Sequence, residues 1–256
     1  MKWKGFDRKL RQTLSWGLGI LVILVSIGFV ESKQQAVQVV KVNIRIHDQY
    51  DNFFLDDKDI LLLMTEGGDE PVIGTSYEDL QLKQLEERVE MHKFIRHAEV
   101  SKDLQGNLQV DAWQARPIAR IVRSDGADAY ISEEGVILPV LERYTARTVL
   151  VSGPIAASLM KADLDKDHYP ELLELLQALD ADDFWRAQIA QLVVGTDQEI
   201  VMYPQVTKQY VQFGKPKDIE TKLKKLRIFY ERILPAKGWN SYERVNLKYK
   251  DQIICE

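Results

Sequence analysis

The 256-residue sequence predicts an α+β fold held behind a single N-terminal membrane-spanning helix. Three observations carry this. Residues Leu14–Val30 form an uncharged apolar run. The next stretch, to about residue 115, reads as strand, helix, helix, strand, strand. Beyond Pro117 lie short strand-like runs separated by turn signals, with a few interposed helices.

The apolar run LSWGLGILVILVSIGFV has the length, about 17–25 residues, that crosses a bilayer as a helix. A cleaved secretory signal would be shorter and end in a small-residue site, and none follows Val30. Lys2, Lys4, Arg8, Lys9 and Arg11 against Asp7 give the first twelve residues a charge of +4. They hold the N-terminus in the cytoplasm, and Trp16 suits the interface. Leu14, Trp16 and Val30 therefore mark the anchor, with a cytoplasmic tail over 1–13 and everything past 30 exported. The exported body carries the remaining −9 of the net −5, which argues against a nucleic-acid partner. Cys255 is the sole cysteine, so no internal disulfide can hold the fold.

Over 40–46, Val40, Val42, Ile44 and Ile46 alternate with Lys41, Asn43 and Arg45, the period of a strand with one buried face. Asp56 is a suitable N-cap for a helix through Ile60–Met64, stopped at Gly67–Gly68. Ser76 and Asp79 match a capping box for a second helix whose Leu82, Leu85 and Val89 share a face. Strands over 96–104 and 108–115 then flank a Gly106–Asn107 turn.

Pro117 suits the start or edge of a strand. Strands are expected at 118–123, 130–131, 136–139, 148–151, 191–195, 199–203 and 210–213. Helices are expected at 170–179 and 184–191. The strongest helical pattern is Lys217–Leu234, with Ile219, Leu223, Leu226, Tyr230 and Ile233 on one face and Lys222, Lys224, Lys225 and Arg232 largely off it. A last extended run, Arg244–Tyr249, puts Val245, Leu247 and Tyr249 on one side.

Chemistry-bearing motifs are incomplete. Asp163, Asp165, Asp167 and Glu174 imitate a calcium loop, but His168 stands where its glycine belongs, and Asp167 reads better as a helix cap. Ser158-x-x-Lys161 lacks the partner motifs of a penicillin-binding enzyme. His47, His92, His97 and His168 are scattered without ligand spacing, and no glycine-rich loop opens a helix. The adjacent pairs Glu86–Glu87 and Glu133–Glu134 do not converge. These residues predict no catalytic set, metal, cofactor or small-molecule substrate.

The strand-helix-helix-strand-strand unit next to a membrane resembles a POTRA domain. The whole order of parts resembles the FtsQ/DivIB family of bacterial division proteins. The likeness is sharpest in Ala115–Arg120, in Tyr130–Gly135 with Leu138-Pro139, in Val149–Gly153 and in Tyr242–Tyr249. Ser132 departs from the aspartate expected after Tyr130-Ile131. The resemblance implies a POTRA-like domain over 31–116 and a family-type β domain over 117–256. It also implies a non-catalytic scaffold of the divisome in the inner membrane, single-pass, with a periplasmic bulk enriched at the division site.

The partners it implies are the FtsB–FtsL coiled-coil pair, bound by strand addition at the last strand with the preceding helix in support. FtsK would be met through the POTRA domain, with septal wall synthases as further partners and membrane lipid around the anchor. A strand at the chain's end has no successor, and this suits such addition. The residues expected to carry it are Leu247, Lys248, Tyr249, Lys250, Gln252, Ile253 and Ile254, with Lys222 and Lys225 on the helix. Other readings are a POTRA-bearing assembly or secretion component, which would carry several such units or a barrel, and an anchored wall enzyme.

Overall fold

The computed structural model describes residues 16, 18–23, 25, 38–50, 52–250 and 252–256. The expected cytoplasmic tail, and Leu14 and Val30 of the expected anchor, lie outside these residues. Among the described residues no helix is long and apolar enough to cross a membrane. Residues 16, 18–23 and 25 are helical, and the side chains from Leu18 to Val25 that are described as apolar are 57–64% exposed.

The chain divides into two compact units, one holding residues up to 47 and 55–113, the other 48–54 and 114–256. In the first, β1 (Lys41–His47) runs parallel to β3 (Asn107–Gln114), which also pairs with β2 (Ile95–Lys102), giving the order β1-β3-β2. Helices α1 (Asp57–Met64) and α2 (Leu82–Glu90) pack with the sheet, and Ile60, Met64, Leu85 and Val89 of the helices and Ala98, Val100, Leu108 and Val110 of the strands are all buried.

Local chemistry explains most of these elements. Asp56 caps α1 by accepting from the N–H groups of Lys58 and Asp59, while Asp59 accepts from Asp56 N–H. The β2–β3 turn is held by the Asp103 carboxylate, which accepts from Gln105 N–H and Asn107 N–H, both at 2.8 Å. Gly106 supplies the positive φ of 93°. Arg88, buried on α2, donates to the Met64 carbonyl at the open end of α1 and pairs with Glu66 and Glu70.

Two expectations fail here. Val40 is 69% exposed and precedes the strand. The second helix starts at Leu82, not Ser76, and has no side-chain cap. Ser76 instead bridges to Gln38, and the neighbouring Tyr77 hydroxyl donates to the Asn107 carbonyl at 2.8 Å. The segment is tied to the hairpin, and that tertiary bond outcompetes a local cap.

The edge strand β2 is guarded. Glu90 and Glu86 on α2 accept from Ala98 N–H at 2.9 Å and Val100 N–H at 2.8 Å, covering amides a foreign strand would use. The bond from Ala98 N–H is the largest cause holding the Glu90 carboxyl below its ordinary value of 4.5, and His97 adds to it. The stability Glu90 confers is thus fully present above that ordinary value and lost as pH falls through the depressed one. His97, raised by its bonds to Glu90 and Glu99, contributes with the opposite sign, fully below 6.5 and lost as pH rises through its own raised value. Glu90→Ala should therefore melt lower than the wild type at neutral pH. The gap should close once the pH falls below the depressed Glu90 value, as thermal melts of the two at neutral and strongly acid pH would show.

The second unit is built on a nine-stranded sheet of order β12-β11-β10-β9-β8-β7-β4-β5-β6. Its strands are β4 (Pro117–Ile121), β5 (Ala129–Ser132), β6 (Ile137–Pro139), β7 (Val149–Ser152), β8 (Ile189–Val194), β9 (Ile200–Pro204), β10 (Tyr210–Gly214), β11 (Arg244–Asn246) and β12 (Ile254–Cys255). Pro117 opens β4 beside a bulge, where its missing N–H costs no ladder bond. Helices α3 (Ala156–Leu159), α4 (Pro170–Asp180) and α5 (Asp183–Gln188) share one apolar core with the sheet. The helix over 184–191 thus ends early. Ile189–Gln191 already belongs to β8, where Ile189 is buried.

A long helical stretch follows: α6 (Ile219–Ile228), a π-turn over Phe229–Ile233, and α7 (Leu234–Lys237). Of the apolar face expected for it, Ile219, Leu223, Leu226 and Tyr230 are buried and Ile233 is half-buried, while Phe229, not expected on that face, is fully buried. The wide turn sits just before Pro235, which has no N–H for an α-helical bond and crowds the preceding turn. The cap expected at Asp167 is absent: Tyr169, at φ 56°, precedes Pro170, and Asp165 organises the loop by accepting from Asp167 N–H and His168 N–H. Among the described residues no group of His, Cys, Asp and Glu could hold a metal ion.

Candidate docking edge at the C-terminus

The largest departure from the expected strand plan lies at the chain's end. The run expected to be extended from Arg244 to Tyr249 is a strand only over β11. The chain then reverses, and β12 returns antiparallel along β11, pairing Val245 with Cys255 and Asn246 with Ile254. The run 244–249 therefore has a successor, and its outer edge is covered by the chain's own tail.

The pairing has a definite phase. Arg244 and Glu256 exchange both backbone bonds, each at 3.0 Å, so Val245 and Cys255 form a non-hydrogen-bonded pair. The N–H and C=O groups of Cys255 then point away from β11. They face outward from the terminal strand of the nine-stranded sheet. On the inner side, Leu247 N–H donates to the Gln212 carbonyl and anchors β11 to its parallel neighbour β10.

Side chains hold the reversal in place. Asn246 Oδ1 accepts from Lys248 N–H at 3.0 Å and starts the turn. The Lys225 ammonium, reaching from α6, donates to the carbonyls of Tyr249 at 2.6 Å, Lys250 at 3.2 Å and Leu247 at 3.5 Å. Lys248 pairs with Glu199, and its stem lies against Gly214, where a Cβ would come within 3.0 Å of it. The Arg244 guanidinium pairs with the Glu256 carboxylate, which raises the Arg244 pKa.

Lys222 lies over the Phe213 ring at 4.7 Å and donates to the Lys215 carbonyl at 2.7 Å. Burial lowers its pKa most, and the Lys225 and Lys248 charges push the same way. The tail thus sits beside three lysines, Lys222, Lys225 and Lys248, with Glu199 among them.

The expected site residues separate into groups. Leu247 is fully buried and packs in the core, so it is no contact surface. Ile253 is half-buried against the same core, and Ile254 is half-buried in β12. Tyr249 is 50% exposed, and Lys248, Lys250 and Gln252 are exposed. Lys222 and Lys225 bond to the protein's own carbonyls and support the edge from within. Burial raises the pKa of the Cys255 thiol, so its reactive thiolate form is suppressed. Glu199, Arg244 and Glu256 belong to the site but escaped sequence reasoning. The apolar Ile253-Ile254 after a polar Lys250–Gln252 turn was the available signal for β12.

A family model described as FtsQ/DivIB, C-terminal related, matches residues 116–256, which includes the whole of this edge. The chain belongs to the FtsQ/DivIB family. A POTRA-like domain model matches residues 38–113, the unit of α1, α2 and β1–β3. No curated protein matches the chain. FtsQ/DivIB proteins are membrane-anchored division proteins, and their POTRA-like and β domains are non-enzymatic scaffold domains. The pair of domains makes this chain a division-associated scaffold.

Within the FtsQ/DivIB match, Ser132 replaces the expected aspartate without loss of the turn. Its fully buried hydroxyl donates to Glu134 Oε2 at 3.0 Å and accepts from Val136 N–H at 3.1 Å. A short polar side chain that accepts from a backbone amide two to four residues on is what this turn requires.

Proposed function

We propose that the protein is a non-catalytic bridge in the divisome that binds the FtsB–FtsL pair by strand addition on the outer edge of β12. The observation that carries this is the outward-facing N–H and C=O of Cys255 on β12, the terminal strand of the sheet. An incoming strand gains affinity from those groups and specificity from flanking side chains, here Tyr249, Lys250 and Gln252. Lys225 holds the carbonyls of the reversal, which lowers the ordering cost of binding.

In this reading the segment Leu14–Val30 anchors the protein in the inner membrane with its N-terminus in the cytoplasm and its bulk in the periplasm. The exposed apolar side chains of Leu18, Ile20, Leu21, Val22, Ile23 and Val25 support burial in lipid. The POTRA-like unit meets FtsK, septal wall synthases are further partners, and the protein concentrates at the division site.

The test is truncation after Lys250, which removes β12 but keeps Leu247 in the core and the carbonyls that Lys225 holds. Circular dichroism should show a folded protein, and calorimetry should show FtsB–FtsL binding weakened at least tenfold. Unchanged binding in that folded variant would place the partner elsewhere.

A further inference from the structure

A cavity of about 700 Å³ opens in the β-rich unit at the starts of the parallel strands β4, β7 and β8. Its volume is that of a typical ligand pocket. At roughly 4.8 Å per strand, β8 lies about 19 Å from β12, so this is a separate place from the docking edge.

The floor is apolar: Ile118, Leu179, Trp185 and Ile189 line it, each at most 3% exposed overall. The wall is polar, and its charges are mostly matched. Arg120 is held by Asp128, Arg186 by Asp183, and Asp180 by Arg116 at 2.6 Å. Arg147, on the exposed rim, is paired with no carboxylate among the described residues. Next to it the Thr148 hydroxyl is buried and makes no hydrogen bond among the described residues. A buried hydroxyl without a partner is costly unless something else supplies an acceptor, and the exposed Arg147 beside it brings a positive charge that could hold one.

We infer that this cavity binds a peptide segment carrying one carboxylate beside a large apolar side chain. The carboxylate meets Arg147 and takes the Thr148 O–H, and the apolar side chain covers the Trp185 floor. Guanidinium forks suit a carboxylate, and a charged bond of this kind discriminates strongly. The backbone amides of a peptide would find acceptors and donors in the polar wall, where Gln205 and Thr145 stand. An acyl chain would meet the same wall without any hydrogen bond to offer.

The carboxylate can be a chain terminus or an acidic side chain, and three fluorescein-labelled pentapeptides separate these. One, Ala-Ser-Ala-Leu-Leu, has a free C-terminus. The second, Ala-Ser-Leu-Glu-Leu, is amidated, and the third replaces its Glu by Gln. Fluorescence polarisation with the full-length protein in nanodiscs should show binding of the first or the second, and at least tenfold weaker binding of the third. Arg147→Gln should reduce the better peptide to the level of the third, and Thr148→Val should weaken it several-fold, with circular dichroism unchanged. Equal binding of the Gln peptide, failure of both carboxylate peptides, or full affinity in Arg147→Gln would each overturn the assignment.

Discussion

Gly135→Ala is expected to destabilise the β-rich unit by about 3 kcal/mol or more. Gly135 closes the Ser132–Val136 reversal between β5 and β6 at φ 89°, where an L-residue with a Cβ costs about 1–2 kcal/mol. The larger part is steric. A Cβ built there would stand 2.0 Å from the Leu164 carbonyl oxygen, a backbone atom that cannot rotate aside. The same strand of chain is fastened to Gly135, whose carbonyl accepts from Leu164 N–H at 2.8 Å, and Leu164 itself is fully buried. Relief therefore requires moving a core residue, and overpacking of this kind costs about 1–3 kcal/mol more. Against a total of roughly 5–15 kcal/mol for a domain, such a loss is large. Urea unfolding of the two proteins measures it. Ser132→Ala, which removes two hydrogen bonds from the same turn, should cost only about 1–2 kcal/mol. A Gly135→Ala protein within 1 kcal/mol of the wild type would mean that the turn has another geometry.

Leu247→Ala and Tyr249→Ala should separate stability from binding at the chain's end. Leu247 is fully buried in the core beside β10, so truncation to alanine should cost about 2–5 kcal/mol. Tyr249, two residues on, is half exposed and should cost less than about 0.5 kcal/mol. If strand addition occurs at β12, the order reverses in a binding measurement made on folded protein. There Tyr249→Ala should weaken FtsB–FtsL binding by several-fold, while Leu247→Ala, studied below its melting temperature, should bind nearly normally. Denaturant melts paired with calorimetry read both quantities. Equal stability losses in the two variants would contradict the burial difference.

Elements stabilised by their own neighbours were legible before any coordinates. The Asp56 cap, the Gly106 turn and the one-sided apolar face of Ile219 to Tyr230 all depend on residues a few positions apart. Where a distant group competes, the local pattern misled. Ser76 and Asp79 carry the letters of a capping box, but Tyr77 is bonded to Asn107, thirty residues away, and no helix starts there. The short β12 could not be read as a strand by periodicity, since two residues contain no period.

The C-terminal site shows both kinds of information. The last residues were legible as an interaction candidate through the family likeness of Tyr242–Tyr249 and the polar, partly apolar tail. Which of them face outward was not. Leu247 alternates with Val245 as a strand residue should, but only the packed core decides that this side is the inside.

By itself, then, the sequence determined most of the elements and the two-domain plan behind an apolar N-terminal run, which follow from hydrophobic period, capping and turn residues, all local in the chain. The family was read from the likeness of its motifs. Only the tertiary structure decided that the tail doubles back, that Lys225 spends its charge on carbonyls of its own chain, and that the free edge is β12 instead of β11. Strand pairing is a contact between distant segments, and an edge is defined by what does not pair with it; neither is written in any one stretch of residues.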